Sequence, residues 1–76
     1  MNGFPSRAIV EMLRREYPAG TRVRLVRMDD VQAPPAGTMG TVRGVDDIGS
    51  IMVSWDNGSS LSVAYGEDCC EVVSDG

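Results

Sequence analysis

The stretch that decides the fold is residues 37–61, GTMGTVRGVDDIGSIMVSWDNGSSL. Within it, Ile51, Val53 and Trp55 alternate with Met52 and Ser54, and this period of two is typical of a strand with one buried face. Runs rich in Asp, Asn and Gly interrupt the alternation, and these residues favour chain reversals. The stretch therefore predicts three consecutive antiparallel strands, and it places Trp55 in the core.

The run Asp56-Asn57-Gly58 predicts a tight hairpin between the second and third of these strands. Asn and Gly both tolerate a positive φ, which a two-residue type I′ turn requires at both central positions. We therefore expect a type I′ turn here.

The same alternation extends the sheet on either side of this stretch. Residues 21–28 predict a first strand with Val23 and Leu25 facing inward and Arg22 and Arg24 facing outward. Residues 69–73 predict a closing strand. Five short strands with one long first connection predict a mainly β fold, an SH3-like five-stranded small barrel spanning residues 21–73. Its predicted interior is Val23, Leu25, Val42, Ile51, Val53, Trp55, Leu61, Val63 and Val72.

A short amphipathic helix is predicted before the barrel, over residues 5–17. Apolar residues recur at helical spacing, at Ile9, Met12, Leu13 and Tyr17. Ser6 can cap the first turn, and Pro18 ends the helix because the residue before a proline is disfavoured in α geometry. We expect this helix to pack on its own barrel, which favours a monomer. Residues 1–4 are predicted to be frayed, and residues 74–76 to form a tail.

The composition excludes several classes of protein. The net charge of −4 disfavours a dedicated non-specific nucleic-acid binder. No apolar run reaches the ~20 residues of a membrane span, and charged residues interrupt the N-terminal stretch, which argues against a secretory signal. The two cysteines, Cys69 and Cys70, are adjacent and do not form a spaced disulfide framework. We expect two reduced thiols, one facing the core, in a cytoplasmic protein.

An ordered series of short runs along the chain resembles one family. They are the ordered runs Tyr17-Pro18, Gly20 to Val23, Asp29-Asp30, Pro35, Gly37-Thr38, Gly40 to Val42, Val45 to Asp47, Gly49, Trp55 to Gly58 and Leu61. Over residues 17–73 the chain resembles a bacterial domain of unknown function, number 4314. The resemblance implies a small barrel encoded in bacteria and mobile elements, and it implies no activity. The Gly-rich run is also similar, more loosely, to the KOW motif of ribosomal and transcription-factor barrels.

The sequence offers no catalytic constellation. It contains no histidine, so neither cysteine has the usual base that would activate it as a nucleophile. The turn carboxylates lack the spacing of a calcium-binding loop. We therefore expect no enzyme activity, no metal site and no cofactor.

Three groups of residues are candidates for binding. A patch of arginines on the first two strands could bind an anionic partner, although we favour the interpretation in which they are solvated and paired with acids of the later strands. These arginines are Arg22, Arg24, Arg27 and Arg43. The long first loop could contact a protein through Asp29, Asp30, Val31, Pro34 and Pro35. The acidic turns, at Asp46, Asp47 and Asp56, could face a basic protein surface.

These features favour a small interaction module that binds another protein. One version is an inhibitor or accessory factor encoded by a mobile element. The alternative is a KOW-like barrel that binds nucleic acid through the arginine patch, and a third is a structural cap in a larger assembly. The sequence does not identify the partner.

Overall fold

The computed structural model describes residues 5–73, so the predicted frayed start, 1–4, and the predicted tail, 74–76, lie outside the described residues. The chain forms one helix and five strands: α1 (Arg7–Glu16), β1 (Arg22–Arg27), β2 (Met39–Val45), β3 (Ser50–Trp55), β4 (Val63–Ala64) and β5 (Cys69–Val72). The mainly β prediction is confirmed.

The five strands form one antiparallel sheet in the order β4-β3-β2-β1-β5. The first strand lies between the second and the last, as expected for an SH3-like small barrel. The end strands β4 and β5 contact each other, although no ladder pairing joins them within residues 5–73. The sheet is therefore a small, partly open barrel.

The helix spans Arg7–Glu16, within the predicted 5–17, and Ser6 caps its first turn as the sequence predicts. The side chain of Ser6 accepts a hydrogen bond from the Ile9 backbone N–H at 3.3 Å, and the Tyr17 N–H donates to the Leu13 carbonyl at 2.8 Å. Val10 and Leu13 are buried in the same cluster as the strand residues, whereas Ile9 is only partly buried. The predicted stripe omitted Val10, because the helix turns a neighbouring face to the sheet. No helix in the described chain, residues 5–73, has the length and apolar content that a membrane crossing needs.

The core consists mainly of the inward residues of the strands. The buried hydrophobic residues are Val10, Leu13, Val23, Leu25, Val42, Val45, Ile51, Val53, Trp55 and Val63. The prediction is wrong for Val72, which is 52% exposed, and Leu61 is only half-buried. Val72 pairs with the fully buried Val23, but its strand is the last of the sheet and has a neighbour on one side only. Val45 belongs to the core and was not predicted there.

The hairpin after β3 lies where the sequence places it, but its turn type differs. No residue other than glycine has a positive φ among those described, so Asn57 is not in the conformation of a type I′ turn. Instead the Gly58 N–H donates to the Trp55 carbonyl, and the Trp55 N–H donates to the Ser59 carbonyl. Gly58, at φ 95°, takes the left-handed position alone, as in a three-residue loop with a bulge. The Asn57 side chain accepts the Ser59 N–H instead.

Candidate functional site

Arg22 lies on the outer face of β1 and is held by two partners. Its guanidinium donates to both carboxylate oxygens of Asp56, at 3.0 and 2.6 Å, and to the Thr41 hydroxyl at 2.8 Å. The hydrogen bonds from Arg22 hold the pKa of the Asp56 carboxyl below its ordinary value. This positive charge is therefore balanced by an acid of the β3–β4 turn.

Arg24 is also paired with an acid. Its guanidinium donates two hydrogen bonds to Glu71 on β5, the strand residue directly opposite it. Directly opposed charges of this kind stabilise neighbouring strands modestly. Arg22 and Arg24 thus lie on a face where basic and acidic side chains alternate.

The other two arginines of the predicted patch lie at bulges. Arg43 is the extra residue where the β2–β3 register shifts between Val42 and Gly44, and its exposed side chain forms no hydrogen bond or ion pair with residues 5–73. Arg27 follows a shift in the β1–β5 register, and its guanidinium donates to the Glu67 carbonyl at 3.4 Å. The structure brings Arg22 and Arg24 to the outer face of β1. Arg43 is exposed at the β2 bulge, and Arg27 is directed toward the turn before β5.

Hydrogen bonds within the long first loop hold its conformation. The Asp30 side chain accepts the Gln32 N–H at 2.7 Å, and the Pro35 carbonyl accepts the Thr38 hydroxyl at 2.6 Å. Val31 is fully exposed between these bonds. Of the remaining loop candidates, Pro34 is buried, whereas Asp29, Asp30 and Pro35 are exposed. The loop therefore presents one isolated apolar side chain next to two acids.

The acidic turns already have intramolecular roles. The Asp46 carboxylate accepts the N–H groups of Ile48 and Ser50, at 3.1 and 2.8 Å, which closes the β2–β3 turn. Asp47 pairs with Arg14 of the helix at 2.7 Å. Together with the pairing of Asp56, these contacts show the turn carboxylates stabilising the fold.

A groove lies between the end of the helix and the last two strands. It has a volume of about 200 Å³, and we call it the tyrosine groove. Its lining residues are Leu13, Glu16, Tyr17, Ile51, Val63, Tyr65, Gly66, Asp68, Cys69 and Cys70. The floor is apolar, since Leu13, Ile51 and Val63 belong to the core. The lining holds two carboxylates, and no arginine of the chain belongs to it.

Local structure fixes each wall of the groove. Glu16 is the last helical residue and Tyr17 caps the helix end. On the opposite side, the Asp68 side chain accepts the Ala64 N–H at 3.0 Å, while the Asp68 N–H donates to the Ala64 carbonyl at 2.9 Å. This turn holds Asp68 in place and presents Tyr65, which is 46% exposed.

The two cysteines differ in their surroundings. Cys70 pairs with Leu25 and packs against the core, whereas Cys69 is exposed, and both thiols are free. The prediction that one of the two cysteines faces the core is confirmed. Burial raises the pKa of the Cys70 thiol to about 11, so this thiol is almost entirely protonated near neutral pH. Burial also raises the pKa of Tyr17, which lies beside it.

The sequence reasoning missed the tyrosine groove. It assigned Tyr17 to the apolar stripe of the helix and predicted no binding role for Tyr65, which lies 48 positions further along the chain. They come together only in the folded sheet, where β4 pairs with β3 and β5 pairs with β1. The sequence does contain one signal for the groove: each tyrosine has an acid nearby, Glu16 beside Tyr17 and Asp68 three positions after Tyr65.

The comparisons with known proteins show the family but no activity. No curated protein and no solved structure matches the chain. A family model described as a domain of unknown function, DUF4314, matches residues 6–73. The match begins at the capping serine, so it includes the helix that the resemblance over residues 17–73 left out. The chain belongs to the DUF4314 family.

Proposed function

We propose that this chain is a non-enzymatic module that binds another protein, as a monomer, through the tyrosine groove. The observation that carries the proposal is that a half-exposed Tyr65 and a partly buried Tyr17 line one groove with an apolar floor. Tyrosine supplies a large contact area with few rotatable bonds and is enriched at protein interfaces. An inhibitor or accessory factor of a mobile element would be one such module.

The size of the groove supports a side chain as its occupant rather than a small molecule. Its volume of about 200 Å³ lies below the roughly 300–1,000 Å³ of most small-molecule sites. A partner would insert a single anchoring residue there and contact the surrounding surface. Val31 of the long first loop is exposed but lies outside this lining.

The nucleic-acid alternative has less support. Phosphate binding needs arginines whose charge is available, and Arg22 and Arg24 are both paired with carboxylates. Arg43 is the one member of the predicted patch without a hydrogen bond or ion pair to the described chain, residues 5–73. Within the predicted patch, Arg27 and Arg43 have no carboxylate partner among residues 5–73. Two such arginines in a chain of net charge −4 support weak binding at most.

Affinity capture from a lysate of the encoding organism tests the proposal. The lysate is divided, one half is treated with nuclease, and each half is passed over wild-type protein, Tyr65→Ala and Val31→Ala. We expect a protein that survives nuclease treatment, is retained by Val31→Ala and is lost with Tyr65→Ala. Recovery of nucleic acid alone, or equal retention by Tyr65→Ala, would contradict the proposal.

A further inference from the structure

We infer that the side chain that enters the tyrosine groove is cationic, an arginine or a lysine in an exposed segment of the partner protein. This inference rests on the proposed function and specifies the chemistry of the partner. It is drawn from the charges, the aromatic rings and the floor of the groove.

The charges of the groove are not balanced within the described chain. Glu16 forms no ion pair or hydrogen bond through its side chain with residues 5–73, and one Asp68 oxygen is bound to a backbone N–H. No arginine lines the groove: Arg27 reaches the neighbouring turn but donates to the Glu67 carbonyl. Two carboxylates on opposite walls, with no internal cation between them, are complementary to a positive group.

The orientation of the helix adds to this negative potential. Glu16 and Tyr17 lie at the carboxyl end of α1, where the backbone carbonyls carry the negative end of the helix dipole. The basic residues of the last turn are directed elsewhere, since Arg14 binds Asp47 and Arg15 does not line the groove. A cation in the groove would therefore face acids and carbonyls but no like charge from the lining.

The remaining lining suits the rest of a long basic side chain. Tyr17 and Tyr65 both line the groove, and a cation near an aromatic face gains cation–π attraction. The apolar floor of Leu13, Ile51 and Val63 can cover the methylene stem, while the charged head reaches the carboxylates.

A second cavity shows the contrast. Another groove, of about 400 Å³, is lined by Arg7, Val10, Glu11, Arg14 and Asp47. Its charges already pair with one another, Arg7 with Glu11 and Arg14 with Asp47. It has no unbalanced charge to recruit a partner, and neither tyrosine belongs to it.

Nuclear magnetic resonance titration of the isotopically labelled full chain tests the inference. The probe is the peptide acetyl-Gly-Gly-Arg-Gly-Gly-amide, and its control is the same peptide with neutral citrulline replacing arginine. With the arginine peptide we expect saturable shifts at the amides of Glu16, Tyr17, Tyr65 and Asp68, weakened at least about fivefold by citrulline. The concentrations extend to ~10 mM, beyond the ~1 mM dissociation constant of a weak single-residue contact.

A charge reversal and its matched control complete the test. Glu16→Lys should abolish these shifts, whereas Glu11→Lys, the same change on the same helix but outside the groove, should preserve them. Absence of saturable shifts, equal binding of the citrulline peptide, or insensitivity to Glu16→Lys would overturn the inference. Failure of this inference is distinguishable from failure of the proposed function. A captured protein that requires Tyr65 but is unaffected by Glu16→Lys would support protein binding through the groove and overturn only the cationic side chain.

Discussion

Arg22 on β1 and Asp56 in the β3–β4 turn form a two-pronged ion pair, with N···O distances of 3.0 and 2.6 Å. They are 34 positions apart in the sequence and meet across β2, where the Thr41 hydroxyl accepts a third hydrogen bond from the same guanidinium. The pair links β1 to the end of β3 across β2, which is the middle strand of the sheet. It also removes Arg22 from the predicted anion-binding patch.

The first prediction concerns the pH dependence of this pair. The pKa of Asp56 is lowered in the folded chain by its hydrogen bonds to Arg22, so the unfolded chain takes up this proton first as the pH falls. The stabilisation is present above the unfolded value, about 4, and is lost as the pH falls through the lowered pKa. Asp56→Asn should therefore lower the free energy of unfolding at neutral pH. It should also make that free energy fall less steeply with pH below about pH 4.

Urea unfolding followed between neutral and acidic pH measures this effect. Asp29→Asn is the control, because the Asp29 side chain is exposed and forms no hydrogen bond or ion pair within residues 5–73. An identical pH profile for Asp56→Asn and the wild type would show that the pair does not contribute.

The second prediction concerns Gly40, which lies inside β2 rather than in a turn. A Cβ at Gly40 would lie 2.6 Å from a Val53 methyl carbon and 2.7 Å from the Trp55 ring. Gly40→Ala should therefore destabilise the fold toward the upper end of the about 1–3 kcal/mol of an overpacked core. Gly20→Ala meets no atom within 4 Å but must adopt φ +96°, so it should cost about 1 kcal/mol. Thermal unfolding of both variants measures the two losses of stability. A smaller loss for Gly40→Ala than for Gly20→Ala would contradict the close packing of Gly40 against Val53 and Trp55.

The third prediction concerns the reactivity of Cys70. Its pKa of about 11 leaves few thiolates at pH 8, so iodoacetamide should modify it slowly. In the variant Cys69→Ser, the folded chain should react about a hundredfold more slowly than the same chain unfolded in urea, whose thiol has an ordinary pKa. Alkylation followed by mass spectrometry measures the two rates. Equal rates would mean that Cys70 is not buried beside Tyr17.

Local patterns were enough to predict the strands and the helix. Alternation at Ile51, Val53 and Trp55 identified the inward face, and the capping of Ser6 set the start of the helix. The predictions that failed concern burial that depends on which strands lie side by side, and a local sequence pattern does not contain that information. Val72 alternates like a core residue, yet its place on an end strand leaves it half exposed.

The candidate site was harder to predict than the fold. Arg22 and Arg24 were assigned correctly to an outer face, but their acidic partners come from a turn and from the last strand. Those ion pairs decide whether the charge of an arginine is available to a ligand. They depend on which strands and turns are neighbours in the sheet, which the local sequence does not show. The tyrosine groove escaped prediction for the same reason, because its two walls come from the helix and from the turn after β4.

The fourth prediction concerns nucleic acid. With Arg22 and Arg24 paired, binding of an oligonucleotide at ~150 mM salt should be no tighter than the ~10⁻⁴–10⁻⁶ M of non-specific contact. Fluorescence anisotropy with labelled single- and double-stranded oligonucleotides measures this. A nanomolar complex that Arg43→Glu abolishes would establish the nucleic-acid alternative instead.

The most direct test of the central claim is the affinity of the purified captured partner for three forms of this chain, measured by isothermal titration calorimetry. The account predicts that Tyr65→Ala weakens binding at least about tenfold, a loss of ~1.4 kcal/mol, because it removes an aromatic wall of the groove. Val31→Ala, which alters a fully exposed side chain of the loop, should bind like the wild type. Unchanged affinity for Tyr65→Ala, with a loss for Val31→Ala, would contradict the assignment of the tyrosine groove as the protein-binding site.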